Sequence, residues 1–399
     1  MENYSQATPK QEIDNRIDNL QNVLTKNDIS GALILQKSDF FYLSGTLQQG
    51  WLYVPAQGKP LLMIFKDYER AKSESPIELV VSIISPKEIP ALLKDMGYPT
   101  PLNIGMELDV VPTNLYFQYK NIFKNREIKD ISTEIRLVRA VKSAYEINLM
   151  EQAAAMADKV TAKVPELLEA GKSEVQFAGE VEAFARSLGH QGIVRMRLWG
   201  NEIFYGHIMS GASAAVPSYM ASPTGGQGTT VATSQGSGFN KIGKNEPVLV
   251  DYVFALNGYL CDNTRIFSIG SVDDQLLRAH EAMLKVQTAA MQSGVPGMAA
   301  GELYELMVKE AESTGYEEFF MGIGDKKIRF TGHGIGMELD EFPFIAKGQT
   351  LKLQEGMTLA LEPKVIMPGK GVVGIENTFV VTRSGLKSLT RYPENIIVL

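Results

Sequence analysis

The stretch from Val248 to Phe267, reading VLVDYVFALNGYLCDNTRIF, constrains this chain more than any other. Two runs rich in Val, Tyr, Phe, Leu and Ile flank Asn257-Gly258, the strongest two-residue signal for a tight β-hairpin. With that turn, Leu256 faces Tyr259 and Asp251 faces Thr264. Asp262 then lies diagonally beside Asp251 on the same face, about 7–8 Å away at the backbone. Two acids on one face of apolar strands are unfavourable unless a cation neutralises them. The pair reads either as half of a metal site or as two unrelated acids on a solvent-facing hairpin.

Composition narrows the alternatives. The net charge of −7 offers no basic surplus to meet phosphates, which argues against a nucleic-acid partner. No apolar run is long enough to cross a bilayer, and the first twenty residues hold no signal-like core, so a cytoplasmic protein without a membrane partner is expected. The single cysteine, Cys261, excludes an internal disulfide framework and a thiolate-rich zinc site. With only four histidines (His190, His207, His280 and His333), any metal site must be mostly carboxylate.

The length of 399 residues suggests more than one domain. Ile13, Ile17, Leu20 and Leu24 recur at helical spacing. Strands are expected at 31–36, 51–54, 61–65, 79–84 and 103–106, with a helix at 88–96. Such alternation predicts an α/β domain with a mixed sheet, and no cluster of ligands or nucleophiles falls within it. Ser132 to Lys142 reads as a joint, leading into helices over 144–168 and 174–188. From Gly206 to Gly243 the chain is rich in Gly, Ser, Ala and Thr and reads as a loop. Its Gly225-Gly-Gln-Gly228 cluster lacks the following Gly-Lys-Ser/Thr of a phosphate loop. Helices at 274–291 and 302–313 precede strands at 357–362, 364–367 and 372–381, an α+β plan. The expected domains are 11–135 and 136–399.

Three further residues can complete the metal site. His333 sits in Gly332-His-Gly-Ile-Gly336, where the glycines permit close approach. Glu362 ends the apolar run 358–362, and Glu376 lies inside the run 372–381. Singly, each reads as well as a structural histidine or a salt-bridge acid. Together with Asp251 and Asp262 they form an oxygen-rich set with one imidazole. Four carboxylates are balanced by two divalent ions, and two ions hold and acidify a bridging water. One nitrogen among hard oxygens suits Mn or Co first, with Zn or Fe also acceptable.

Asp251, Cys-Asp262-Asn-Thr-Arg265, Gly332-His333-Gly-Ile-Gly336, Leu361-Glu362-Pro363 and Gly374-Ile-Glu376 resemble the five-ligand signature of the M24 metallopeptidases, the methionine aminopeptidase, prolidase and aminopeptidase P relatives. Residues 13–132, with Tyr42-Leu-Ser-Gly45, resemble the creatinase-type N-terminal domain. Arg139-Ala-Val-Lys142-Ser with Glu146 resembles the entry to the catalytic domain. The resemblance implies a creatinase-like α/β domain followed by an α+β pita-bread catalytic domain, and a homodimer. It further implies that Asp251 binds one metal, that His333 and Glu362 bind the other, and that Asp262 and Glu376 bridge both. Glu362 would be general acid and base beside a bridging hydroxide that attacks an amide carbonyl. The expected substrate is an Xaa-Pro dipeptide, another short peptide or a small amide. The creatinases of this fold lack the metal ligands, so their role is not expected here.

Two positions depart from the prolidase pattern. Asp340 stands where a histidine follows the metal-binding one by seven residues, and Ser218 aligns with a histidine after the loop proline. Imidazoles there would donate to the substrate and the developing oxyanion, whereas an ionised Asp340 only accepts. Asp340 reads either as an exposed acid beside Glu338 and Glu341 or as a site residue favouring a positively charged substrate. His207 reads as a packing residue, with replacement of the missing donor as its other role. A lyase or non-peptide hydrolase acting on a small cationic compound, or a silent binding homologue, are the competing readings.

Overall fold

The computed structural model describes residues 7–399. The chain divides into two compact units, the first ending at Arg139 and the second running Ala140–Leu399.

In the first unit the helix Lys10–Lys26 buries Ile13, Ile17, Leu20 and Leu24, as their spacing predicts. Its sheet contains β1 (Gly31–Ile34), β2 (Gly50–Pro55), β3 (Leu61–Ile64), β4 (Leu79–Ser82), β5 (Asn103–Met106) and β6 (Glu127–Asp130), in the order β4-β3-β2-β1-β5-β6. β1, β2 and β3 pair antiparallel, while β4, β5 and β6 join parallel. The sheet is therefore mixed, as expected. Leu33, Leu61, Met63, Ile104 and Met106 form the centre of its core. The expected joint at 132–142 is largely a helix, Ser132–Ala140. Arg139 Nη1 donates to Asp39 Oδ1 at 2.6 Å with both side chains buried, an anchor that linear reading could not pair.

Glu107 is fully buried, and its Oε1 accepts the Leu35 and Gln36 amides at 3.1 and 3.2 Å. Burial, reinforced by Asp39, pushes its carboxyl up to about 8 from 4.5. A folded pKa above the unfolded one means the contribution is complete below about pH 4.5 and lost as pH rises through about 8. Urea unfolding of the wild type should thus show falling stability across this window, by at most about 1.4 kcal/mol per pH unit from this group. Glu107→Gln should flatten that slope; an unchanged slope would assign the effect elsewhere.

In the second unit the hairpin is β8 (Val248–Leu256) and β9 (Tyr259–Ser268). Its register is the one predicted, Leu256 opposite Tyr259 and Asp251 opposite Thr264. Asn257 and Gly258 both adopt positive φ, 51° and 87°, which suits the right-handed strand twist. The expected loop at 206–243 begins instead with β7 (Gly206–Ser210), antiparallel to β8 with His207 opposite Asp251. Pairing against a long apolar strand outweighs the weak local propensity of GHIMS.

The remaining strands are β10 (Phe330–Gly334), β11 (Glu341–Ala346), β12 (Thr358–Leu361), β13 (Lys364–Met367), β14 (Gly371–Gly374), β15 (Asn377–Thr382), β16 (Gly385–Ser388) and β17 (Ile397–Val398). They form sheets β11-β10-β12-β15-β16, β13-β14 and β17-β9-β8-β7. The single strand expected at 372–381 is broken at Ile375-Glu376, because β14 pairs with β13 whereas β15 pairs with β12 and β16. Gly374 permits the break with φ of 148°; a Cβ there would meet Pro363 O at 2.4 Å. The β13–β14 hairpin thus leaves the larger sheet at two roots, Glu362-Pro363 and Ile375-Glu376. Helices Ala144–Leu167, Glu174–Ser187, Asp274–Ser293 and Ala300–Ser313 complete the α+β arrangement. The first of these is capped reciprocally by Ser143 and Glu146. No helix among the described residues is long and apolar enough to cross a membrane.

Candidate metal centre

Each expected ligand reaches one cleft of the second unit. Asp251 and Asp262 come from the hairpin, His333 from β10, and Glu362 and Glu376 from the two roots of β13–β14. All five line the same cleft with His207 and Asp340. The hairpin acids are not solvent-facing: Asp262 is 5% exposed and Asp251 9%. Of the two readings of this pair, the shared buried site is the one realised in the geometry.

Backbone and buried polar contacts hold these groups in place. The Thr378 hydroxyl accepts the Asp262 amide at 2.9 Å and donates to the Asp262 carbonyl at 2.9 Å. Thr264 Oγ1 donates to Glu376 Oε2 at 2.9 Å. Arg265, 1% exposed, donates to the carbonyls of Thr264 and Glu376 at 2.8 and 3.0 Å and to Asn377 Oδ1 at 2.8 Å. It ties the end of the hairpin to the strand break that carries Glu376. Gly334 is demanded by close packing, since a Cβ would lie 2.2 Å from Phe342 O. Beyond it, Glu341 accepts the Met337 and Glu338 amides and is paired with buried Lys142 at 2.9 Å.

A proton on His333 Nδ1, donated to Gly334 O at 3.0 Å, leaves Nε2 as a ligand nitrogen. Burial would push the His333 imidazole down, but Asp340, Glu362 and Glu376 together hold it above its ordinary value. Burial pushes Glu376 up to about 7 although Lys364 pulls it down. Asp262 stands well above the usual carboxylate range through burial, then through Glu376 and Asp251. Asp262 Oδ1 is buried with no hydrogen-bond partner among the described residues. Asp262, His333 and Glu376 each offer a donor atom, all within 4.8 Å of one another. An unpartnered buried carboxylate oxygen in such a trio fits a divalent ion.

One participant was missed by the sequence reading. Lys364 is completely buried, and its Nζ lies 3.0 Å from Asp251 Oδ2, 2.9 Å from Glu362 Oε2 and 2.9 Å from Glu376 Oε2. Burial would lower its pKa, yet the three carboxylates outweigh that and hold it well above the ordinary value. The available signal was a lone lysine opening the apolar run Lys364-Val-Ile-Met367, two residues after a ligand.

Among the departures from the prolidase pattern, Asp340 lines the cleft, with Oδ1 3.8 Å from His333 Nδ1. The reading of Asp340 as a merely exposed acid is therefore corrected. His207 also lines the cleft; Nδ1 faces Thr224 Oγ1 at 2.8 Å and Nε2 faces Gln235 Oε1 at 3.2 Å. Thr224 Oγ1 in turn reaches Asp251 Oδ2 at 3.4 Å, so His207 belongs to the polar surround of that acid. Ser218 accepts the Met220 amide at 3.2 Å, while Ser222 of the same loop lines the cleft. Cys261 is fully buried and its thiol is pushed up by burial.

Residues 148–383 match the model of metallopeptidase family M24. The chain belongs to this family. Residues 16–141 match the creatinase/prolidase N-terminal domain. The family is one of metallopeptidases, so divalent metal ions belong to its chemistry and the chain is a metallopeptidase by membership. An Xaa-Pro dipeptidase of Pyrococcus furiosus is 28% identical over 384 residues, covering 96% of this chain and 99% of that protein. The prolidase structure from Pyrococcus horikoshii OT3 superposes with a TM-score of 0.79 at 25% identity, covering 95% of this chain and 99% of the other. An Xaa-Pro dipeptidase structure from Bacillus anthracis gives a TM-score of 0.82 at 24% identity, covering 97% and 100%. The M24 fold expected from the motifs, a creatinase-like α/β domain and an α+β pita-bread catalytic domain, is thereby borne out.

Proposed function

We propose that this M24 member hydrolyses short peptides at an Xaa-Pro bond. The observation that carries the reading is the convergence of Asp251, Asp262, His333, Glu362 and Glu376 on one buried cleft. The Xaa-Pro dipeptidases and prolidases similar to this chain support it. Asp262, His333 and Glu376 would hold a divalent ion, with Glu362 beside them, and one nitrogen among oxygens favours Mn or Co over Zn or Fe. When bound, the metal supplies Lewis acidity and a water of lowered pKa. Glu362 is held through Oε2 by Lys364 and acts as general base and then general acid toward the leaving amine. His333 orients beside it, and Asp340 faces the same space. The reading places a homodimer in the cytoplasm.

Mn- and Co-loaded protein should turn over Xaa-Pro dipeptides and proline-second tripeptides, and chelation should abolish that turnover. No turnover on either class sinks the proposal. Asp340 supports a second reading, a non-peptide hydrolase or lyase on a small cationic compound, because an acid in the cleft attracts positive charge. Turnover of quaternary ammonium or sulfonium compounds, with none of peptides, would favour it. Asp340→His should raise peptidase turnover by up to about 100-fold if a missing donor limits the reaction. Unchanged kcat in that variant would show that the Asp340 carboxylate is not limiting.

A further inference from the structure

The charged groups of the cleft include a positive one supplied by the chain itself. An ammonium has three N–H donors and no acceptor. Lys364 Nζ is within 3.0 Å of three carboxylate oxygens from three separate residues, Asp251, Glu362 and Glu376, so every donor is committed. The side chain has no exposure and is admitted by the absence of one opposite. Lys364 pairs with Gly374, where a Cβ would lie 2.7 Å from Lys364 Cα and 3.1 Å from its Cγ. No hydrogen bond joins Asp262 to this lysine, and its Oδ1 is a buried carboxylate oxygen without a hydrogen-bond partner among the described residues.

We propose that the Lys364 ammonium is a built-in cation occupying the place beside Asp251, so that this chain holds one divalent ion, at Asp262, His333 and Glu376. The inference rests on the metal-dependent reading above but not on its substrate. An ion beside Asp251 would need carboxylate oxygens at about 2.0–2.2 Å, and Lys364 already occupies Asp251 Oδ2 and Glu376 Oε2. A divalent ion sharing them would sit within a few ångströms of the ammonium, where like charges repel strongly in a buried site. The expectation of two ions weighed four carboxylates against no cation of the chain's own. One ammonium and one divalent ion offset three of those four charges, and the unpartnered Asp262 Oδ1 belongs to the trio whose donor atoms fit an ion.

The test is the ion count. Full-length protein stripped with chelator, reloaded with Mn and dialysed should retain about one ion per chain. Its low-temperature electron paramagnetic resonance spectrum should be the six-line signal of an isolated Mn(II). Lys364→Ala, which removes the ammonium and opens its space, should retain about two, with the six-line signal replaced by an exchange-coupled spectrum. Two ions or a coupled spectrum in the wild type overturns the proposal, as does a folded Lys364→Ala protein that still takes one. No retained ion in the wild type overturns both this proposal and the metal-dependent reading. If the alanine variant does not fold, the wild-type count and spectrum decide alone. Failure of the peptidase reading is distinguishable, because it would show as absent turnover on Xaa-Pro dipeptides with the ion count unaffected.

Discussion

Lys364→Met should lower the stability of the metal-free protein by about 3–5 kcal/mol, the typical penalty for removing one partner of a buried ion pair. Methionine nearly keeps the length and volume of the side chain, so the loss isolates the charge. Asp251, Glu362 and Glu376 each give up a contact of 2.9–3.0 Å to a side chain that has no exposure. The wild type, by contrast, should remain folded after chelation because the ammonium stays in place. Urea unfolding of both proteins, with and without Mn, makes the comparison. Mn should recover part of the variant's loss, since a divalent ion compensates the same carboxylates. Equal stability of the two metal-free proteins would mean that the ammonium is not compensating the cluster.

The second large effect is expected at Arg265, a positioning residue. Its guanidinium donates to the backbone carbonyls of Thr264, Glu376, Tyr392 and Pro393 and to Asn377 Oδ1. Arg265→Met should leave these acceptors buried and unpaired, at roughly 1–3 kcal/mol for each one left unsatisfied. It should also loosen the strand break that presents Glu376, lowering Mn affinity about 10- to 100-fold, the usual effect of losing a partner that orients a ligand. Arg265→Lys should restore little, because an ammonium offers three donors and no planar fork, too few for the acceptors at 264, 376–377 and 392–393. Mn titration of variants that remain folded separates the two consequences. Reduced stability with unchanged Mn affinity would mean that Arg265 supports the fold without positioning the ligand.

The legible parts of this protein are those written in local chemistry. Asn257-Gly258 between two apolar runs specified the hairpin and its register, so the diagonal placement of Asp251 and Asp262 followed by counting. The order of the remaining motifs pointed to His333, Glu362 and Glu376, and the cleft gathers all of them. Local composition misled at Gly206–Ser210, where small residues became a strand because β8 offered a long partner. It misled again at 372–381, where an unbroken apolar run hid a change of sheet at Glu376.

Lys364 lay beyond such reasoning for the same cause. A lysine at the start of a strand ordinarily turns its charge to water. Whether it turns inward depends on where β13 leaves the larger sheet and on Gly374 opposite being bare, both of which are set by contacts distant in sequence. Asp340 likewise admits two readings in the sequence, and the turn after β10 decides between them by setting it in the cleft wall. The residue types and their order, by themselves, determined that the chain folds as an M24 protein and that a carboxylate-rich cleft stands on its central hairpin. Only the tertiary structure decided how the charge in that cleft is balanced. Spacing along a strand fixes which residues share a face, whereas the neutralising partner is whichever cation the packing of separate sheets brings within reach.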